Sequence, residues 1–156
     1  MIRTASLTVA AVLLLAGCTT LPRPLQGEFA PLQPADAARD GAVGAPVRWG
    51  GRIVSVQPEA DRTCFEIVAI TLGRDARPLR RDHSPGRFLA CRAGYYEPEI
   101  FQPGRDVTLV GRVEGFETRK VGDFDYRYPR IDAGVVYLWP ERRDVDVIVE
   151  RRPWGW

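Results

Sequence analysis

Side chains with intrinsic reactivity are scarce in this 156-residue chain, which holds three cysteines and one histidine. His83 lies in Arg80-Arg81-Asp82-His83-Ser84-Pro85-Gly86, a loop by composition and exposed by expectation. A Ser-His-Asp triad or a His-based zinc site needs partners that this chain does not supply. Cys64 and Cys91 are far apart in sequence and lack histidine support, so they do not read as a zinc set. Glu97, Glu99, Asp123 and Asp125 are the carboxylates nearest to an acid–base pairing. Such groups in turns of a soluble domain are normally solvated. Asp123-Phe124-Asp125-Tyr126 hints at calcium but lacks the ligand spacing of an EF-hand loop. No phosphate-cradling glycine pattern occurs. The sequence therefore points away from an enzyme and implies neither a metal nor a cofactor.

The third cysteine does carry a chemical signal. Met1 to Arg3 supplies one positive charge, and Ala5 to Ala16 is apolar apart from Ser6 and Thr8. That run is too short for a membrane-spanning helix, which needs about 20 residues. A basic start, a short apolar core and small residues at the exit mark a secretory signal peptide. The exit, Leu15-Ala16-Gly17-Cys18, matches the bacterial lipobox. That motif implies diacylglyceryl transfer to the Cys18 sulfur, cleavage before it, and acylation of the new amine. Two or more acyl chains hold a protein stably on a bilayer. Thr19, rather than Asp, follows the cysteine, and this pattern addresses lipoproteins to the outer membrane.

With Cys18 set aside, Cys64 and Cys91 remain as an even pair in an oxidising compartment, where either a disulfide or two buried thiols is open. The composition, 45% hydrophobic and 27% charged, is that of an ordinary globular domain. A formal charge of +2 gives no footing for nucleic-acid binding, which export also disfavours. Two stretches suit either an anionic surface or a plainer role, the first as a solvated charged hairpin loop and the second as a tail folded on the barrel or disordered. Arg74, Arg77, Arg80 and Arg81, with Arg87 and Arg92 beyond them, make the 72–92 segment arginine-rich. Guanidinium groups meet phosphates bidentately. The tail "ERRPWGW" sets Trp154 and Trp156 beside Arg151 and Arg152, a composition suited to a membrane interface.

These residues need a scaffold, and the chain reads as strands. Residues 18–46 contain Pro22, Pro24, Pro31, Pro34 and Pro46 and read as an extended spacer. Within it, Ala35 to Asp40 resembles a short helix stopped by Gly41. Strands are expected over 47–56, 63–71, 87–92, 106–116, 126–139 and 143–150. "VRWGGRIVSV" and "VTLVGRVEGF" share Val, three residues, Gly, Arg and then Ile or Val. Long strands bent at an internal glycine suit a small closed barrel. The expectation is an all-β domain over 47–150, a closed or partly open OB-like barrel of five or six strands, with a β-sandwich as the alternative. Residues 1–17 are then the signal peptide, 18–46 the lipidated Cys and tether, and 151–156 a basic, aromatic tail.

Four segments, in this order, carry a resemblance. They are Arg48-Trp49-Gly50-Gly51-Arg52-Ile53, Gly86-Arg87-Phe88-Leu89, Gly94-Tyr95-Tyr96-Glu97-Pro98, and Tyr128-Pro129-Arg130-Ile131-Asp132 running on to Trp139. Together they resemble the Slp family, starvation-inducible outer-membrane lipoproteins of Gram-negative bacteria. The resemblance covers essentially the whole chain. It implies an outer-membrane address but no settled molecular activity, and Cys64 and Cys91 are not part of the pattern.

Three functions follow as candidates. The leading one is a non-enzymatic envelope lipoprotein that supports the outer membrane or binds a partner there, such as lipopolysaccharide or an envelope protein. An OB-type module for a glycan is the second, on fold analogy alone. An enzyme is the third. Aromatics gathered on one barrel face would favour the glycan; a polar face with a basic rim would favour the scaffold. Expression of the full-length chain in a Gram-negative host should yield a triacylated protein by intact mass, and Cys18→Ser should abolish the lipid mass. An unlipidated wild type would refute the lipobox assignment.

Overall fold

The closing of this fold turns on the two glycine-bearing segments. The structure, a computed structural model, describes residues 21–142. Its strands are β1 (Pro46–Pro58), β2 (Arg62–Ala69), β3 (Arg87–Ala93), β4 (Asp106–Val121) and β5 (Phe124–Leu138). They form a closed barrel in the order β1-β2-β3-β5-β4, with β4 returning to β1. All pairings are antiparallel except β3 with β5. This is the OB-like arrangement rather than a sandwich.

The two echoing segments are each other's partners. In the β1–β4 ladder Val47 faces Gly111, and Gly51 faces Val107. Alternate residues point into the barrel, so Val47, Trp49 and Ile53 of β1 join Val107, Leu109 and Val113 of β4 in the core. Gly51 and Gly111 occupy the inward positions between them. A Cβ on Gly51 would lie 1.9 Å from the carbonyl oxygen of Val68, and one on Gly111 would lie 2.2 Å from that of Asp132. At both places the neighbouring strand crosses too near for any side chain. Phe65, Ile67, Phe88, Ala90, Ile131 and Ala133 fill the rest of the interior.

Both barrel ends are plugged. At one, helix α1 (Pro34–Asp40) pushes Ala37 into the core, fully buried. Pro34 starts the helix and Gly41, left-handed at φ 71°, ends it. At the other, Phe65, Tyr96 and Phe101 pack together, Tyr96 edge-on to both phenylalanines, with ring centroids 5.1 to 5.6 Å apart. The Thr63 hydroxyl fixes that plug, donating to the Gly94 carbonyl and accepting from the Tyr96 amide.

The spacer expected over 18–46 differs from what the described residues 21–45 do. They pack on the barrel. Leu25 is fully buried, the Trp49 indole donates to the Leu32 carbonyl at 2.6 Å, and Arg48 donates to the Leu25 carbonyl at 2.8 Å. The prolines give the segment extended and 3-10 geometry, and its leucines supply the burial that a true linker lacks. The folded unit thus begins ahead of Val47.

Two further differences concern the strands. β4 and β5 run past the expected ends, to a two-residue turn at Gly122 and Asp123, so the hairpin projects as a charged arm. The strand expected over 143–150 lies outside the described residues, as do Cys18, Trp154 and Trp156. Cys64 and Cys91 are direct partners on β2 and β3, with Cα atoms 4.1 Å apart, and a disulfide joins them.

Arm and barrel are joined by Tyr128, which is 1% exposed. Its hydroxyl donates to Glu66 at 2.8 Å, and Arg87 pairs with the same carboxylate oxygen at 2.8 Å. Burial, then the hydrogen bond to Glu66, pushes the Tyr128 hydroxyl up to about 12.

Gly51→Ala and Gly111→Ala should each destabilise the domain by upwards of about 3 kcal/mol, because backbone rather than a flexible side chain must move. Gly115, with open space where its Cβ would stand, is the control, and Gly115→Ala should change little. Urea unfolding of the three variants decides this. Tyr128 also predicts an alkaline loss of stability. Between pH 10 and about 12 the unfolded chain releases a proton that the folded one retains. Stability should fall there by on the order of 2 kcal/mol, and Tyr128→Phe should flatten that part of the pH profile.

Candidate functional site

The sequence-nominated arginines do not act as one loop surface. Residues 70–79 fold onto the outer wall of β1, β4 and β5. Gly50 leaves room for this, since a Cβ there would meet the Leu72 side chain at 2.8 Å. The result is a second apolar cluster outside the barrel, with Leu25, Ala76 and Trp139 buried at its centre. Leu21, Leu72, Val110, Val135 and Tyr137 pack around them. Buried Thr108 locks it, accepting from the Trp139 indole at 2.9 Å and donating to the Ala76 carbonyl at 2.7 Å.

Arg77 is spent on this cluster. Its guanidinium lies over the Trp139 ring, 5.4 Å from the centroid, and donates to the Pro140 carbonyl at 2.6 Å. Arg80 and Arg81 extend from the same loop into an open cleft of about 720 Å³ beside Trp139. Arg74 is exposed on the loop and does not line that cleft.

Three arginines that sequence reasoning missed complete the cleft. Arg52 comes from β1, Arg105 from the residue before β4, and Arg142 from just beyond β5. Among the described residues the carboxylates there are Asp82, Asp106 and Glu141. Asp106 is the hub: its side chain, 16% exposed, has Arg142 at 3.3 Å, Arg77 at 3.8 Å and Arg52 at 3.9 Å. Arg142 also donates to the Pro78 carbonyl. Arg105 donates to the Ile100 and Trp139 carbonyls and sits 3.6 Å from Glu141. No sequence window holds these groups together; only barrel closure does. The sole signal was negative, in that Arg52 points outward between core residues of β1 and Arg105 precedes β4, so neither serves a core.

The other nominated residues are dispersed. His83 is exposed in its loop. Glu97 accepts from the Tyr95 hydroxyl and the Glu99 amide, which ties a turn. Asp125 pairs with Lys120 on the arm at 2.9 Å. Among the described residues no group of three metal-ligating side chains gathers, and no helix is long and apolar enough to cross a membrane.

The recurring motifs prove to be folding devices. Trp49 and Gly51 build the barrel wall, Phe88 fills its core, Tyr96 plugs one end, and Ile131 with Tyr128 secures β5. Trp139 centres the outer cluster.

Comparison with known proteins agrees with this reading. The chain is 34% identical over 121 residues to the uncharacterized lipoprotein YeaY of Escherichia coli, a match covering 74% of this chain and 62% of that protein. It is 30% identical over 132 residues to an uncharacterized protein of Haemophilus influenzae, covering 80% and 70% of the two. It is 24% identical over 148 residues to the outer membrane protein Slp of Escherichia coli, covering 92% and 78%. No solved structure matches. The family model for the outer membrane lipoprotein Slp family matches residues 15–156, so the chain belongs to that family.

Proposed function

We propose that this outer-membrane lipoprotein works without catalysis, as a β-barrel held close to the membrane by acyl chains on Cys18, where it supports the envelope or binds a partner under starvation or stress. One observation carries the reading. Leu21 is seated in the outer apolar cluster with Trp139, and Cys18 lies three residues before it. Three peptide steps reach at most about 11 Å. An anchor so near to a packed residue ties that side of the barrel to the lipid surface. The arginine-lined cleft shares Trp139 with the cluster, so it belongs to the same side. A polar face with a basic rim suits the scaffold or partner-binding reading. The glycan reading needs a platform of exposed rings, and among the described residues the aromatic contacts are largely internal, with Tyr95 exposed on the loop after β3 and Phe124 exposed at the start of β5.

Membrane fractionation tests the address. Wild type should sediment with outer membranes, Thr19→Asp should hold it in the inner membrane, and Cys18→Ser should release it into the periplasm. Photoreactive side chains at positions 95 and 124 should give adducts with envelope proteins in starved cells. A soluble wild type would overturn the anchor, and turnover of an envelope substrate by the purified protein would overturn the non-enzymatic role.

A further inference from the structure

We infer that the cleft formed by Arg52, Arg81, Arg105 and Arg142 binds the phosphate groups of anionic lipid headgroups, so that the barrel grips the membrane surface as well as being tied to it. The inference deepens the reading above and rests on the anchor being at Cys18.

Charge imbalance is the first argument. Arg52, Arg80, Arg81, Arg105 and Arg142 line the cleft and Arg77 adjoins it, whereas Asp82, Asp106 and Glu141 are the carboxylates there. Among the described residues, and leaving aside Arg80, which has a partner of its own, five cations face three anions in one cleft of a chain whose formal charge is only +2. The excess is therefore concentrated, not spread. Asp106 alone cannot satisfy the three guanidiniums around it, two of which stand 3.8 and 3.9 Å away. Arg77 Nε is buried there with no hydrogen-bond partner among the described residues.

Construction is the second. The arginines come from β1, the β2–β3 loop, the entry to β4 and the exit of β5. Arg105 is held by two carbonyls and Arg142 by the Pro78 carbonyl, so these donors are placed before any ligand arrives. Guanidinium forks match the tetrahedral oxygens of phosphate. Position is the third argument, because the cleft adjoins the cluster that seats Leu21, beside the anchor. A headgroup phosphate is the anion available in quantity at that place.

The test uses the mature chain from residue 18 to 156 with Cys18→Ser, so that acyl chains do not mask the contact. Flotation with phosphatidylcholine vesicles is compared with flotation on vesicles that include phosphatidylglycerol. Binding should require the anionic lipid. Each basic residue near such a surface contributes about 1 kcal/mol, so Arg52→Ala with Arg81→Ala should weaken binding roughly 30-fold. Thermal unfolding should show both variants folded. Arg39→Ala with Lys120→Ala removes equal charge elsewhere and should leave binding within about twofold. Equal weakening by the two pairs would replace the cleft with diffuse attraction and overturn the proposal. So would absence of vesicle binding, whether or not inorganic phosphate binds by titration calorimetry. Fractionation of the lipidated wild type does not depend on Arg52 or Arg81, so failure here leaves the anchor reading intact and is distinguishable from its failure.

Discussion

Closure of a small barrel forces strands to cross where no side chain fits, and the rest of this structure depends on that. At Gly51 and Gly111 the neighbouring carbonyl occupies the space a Cβ would need. The two positions are offset by four residues in the β1–β4 ladder, each facing a valine of the other strand. That reciprocal arrangement lets both long strands bend around one core. Tight closure leaves the interior narrow, so single rings and small residues fill it, and the ends need separate plugs. Ala37 with its helix closes one end, and the three packed rings of Phe65, Tyr96 and Phe101 close the other.

Closure also decides what lies outside. Gly50, next to Gly51, points outward and admits Leu72, and so a loop that would otherwise wave in solvent becomes a lid over Thr108 and Trp139. The same lid brings Arg77 onto Trp139 and sets Arg80 and Arg81 beside arginines from three other segments. A glycine pair in one strand is thus linked, through packing alone, to the composition of the charged cleft.

Much of the barrel was legible because strand signals are local. Alternation and β-branching marked all five described strands, and the shared Val-x-x-x-Gly-Arg pattern pointed to bent strands before any pairing was known. What escaped was non-local or disguised. Proline content made residues 21–45 look like a linker, since periodicity cannot show that Leu25 and Leu32 meet a barrel face far along the chain. The arm's tip, Glu117 to Asp125, read as loop because both its faces are largely wet and its charges hide the strand period. The cleft was half visible: Arg80 and Arg81 stood out in an arginine-rich stretch, while Arg52, Arg105 and Arg142 lie far from it and from each other in sequence and meet only through topology.

The motif residues bear on how function should be sought in this chain. Trp49, Gly51, Phe88, Tyr96, Tyr128 and Trp139 serve packing, caps and barrel closure. A pattern made of such residues reports a shared fold and says little about a shared ligand. Of the arginines in the charged cleft, Arg81, Arg105 and Arg142 fall outside the four motif segments, whereas Arg52 belongs to the first, so pattern and cleft overlap at one residue. The cleft arginines adjoin the cluster that seats Leu21, which lies three residues along the chain from Cys18. A lipid on Cys18, three residues ahead of packed Leu21, would commit that side of the barrel to the membrane. The hairpin arm, tipped by Phe124 at 81% exposure, is a separate exposed surface on which a protein partner can be looked for independently of lipid.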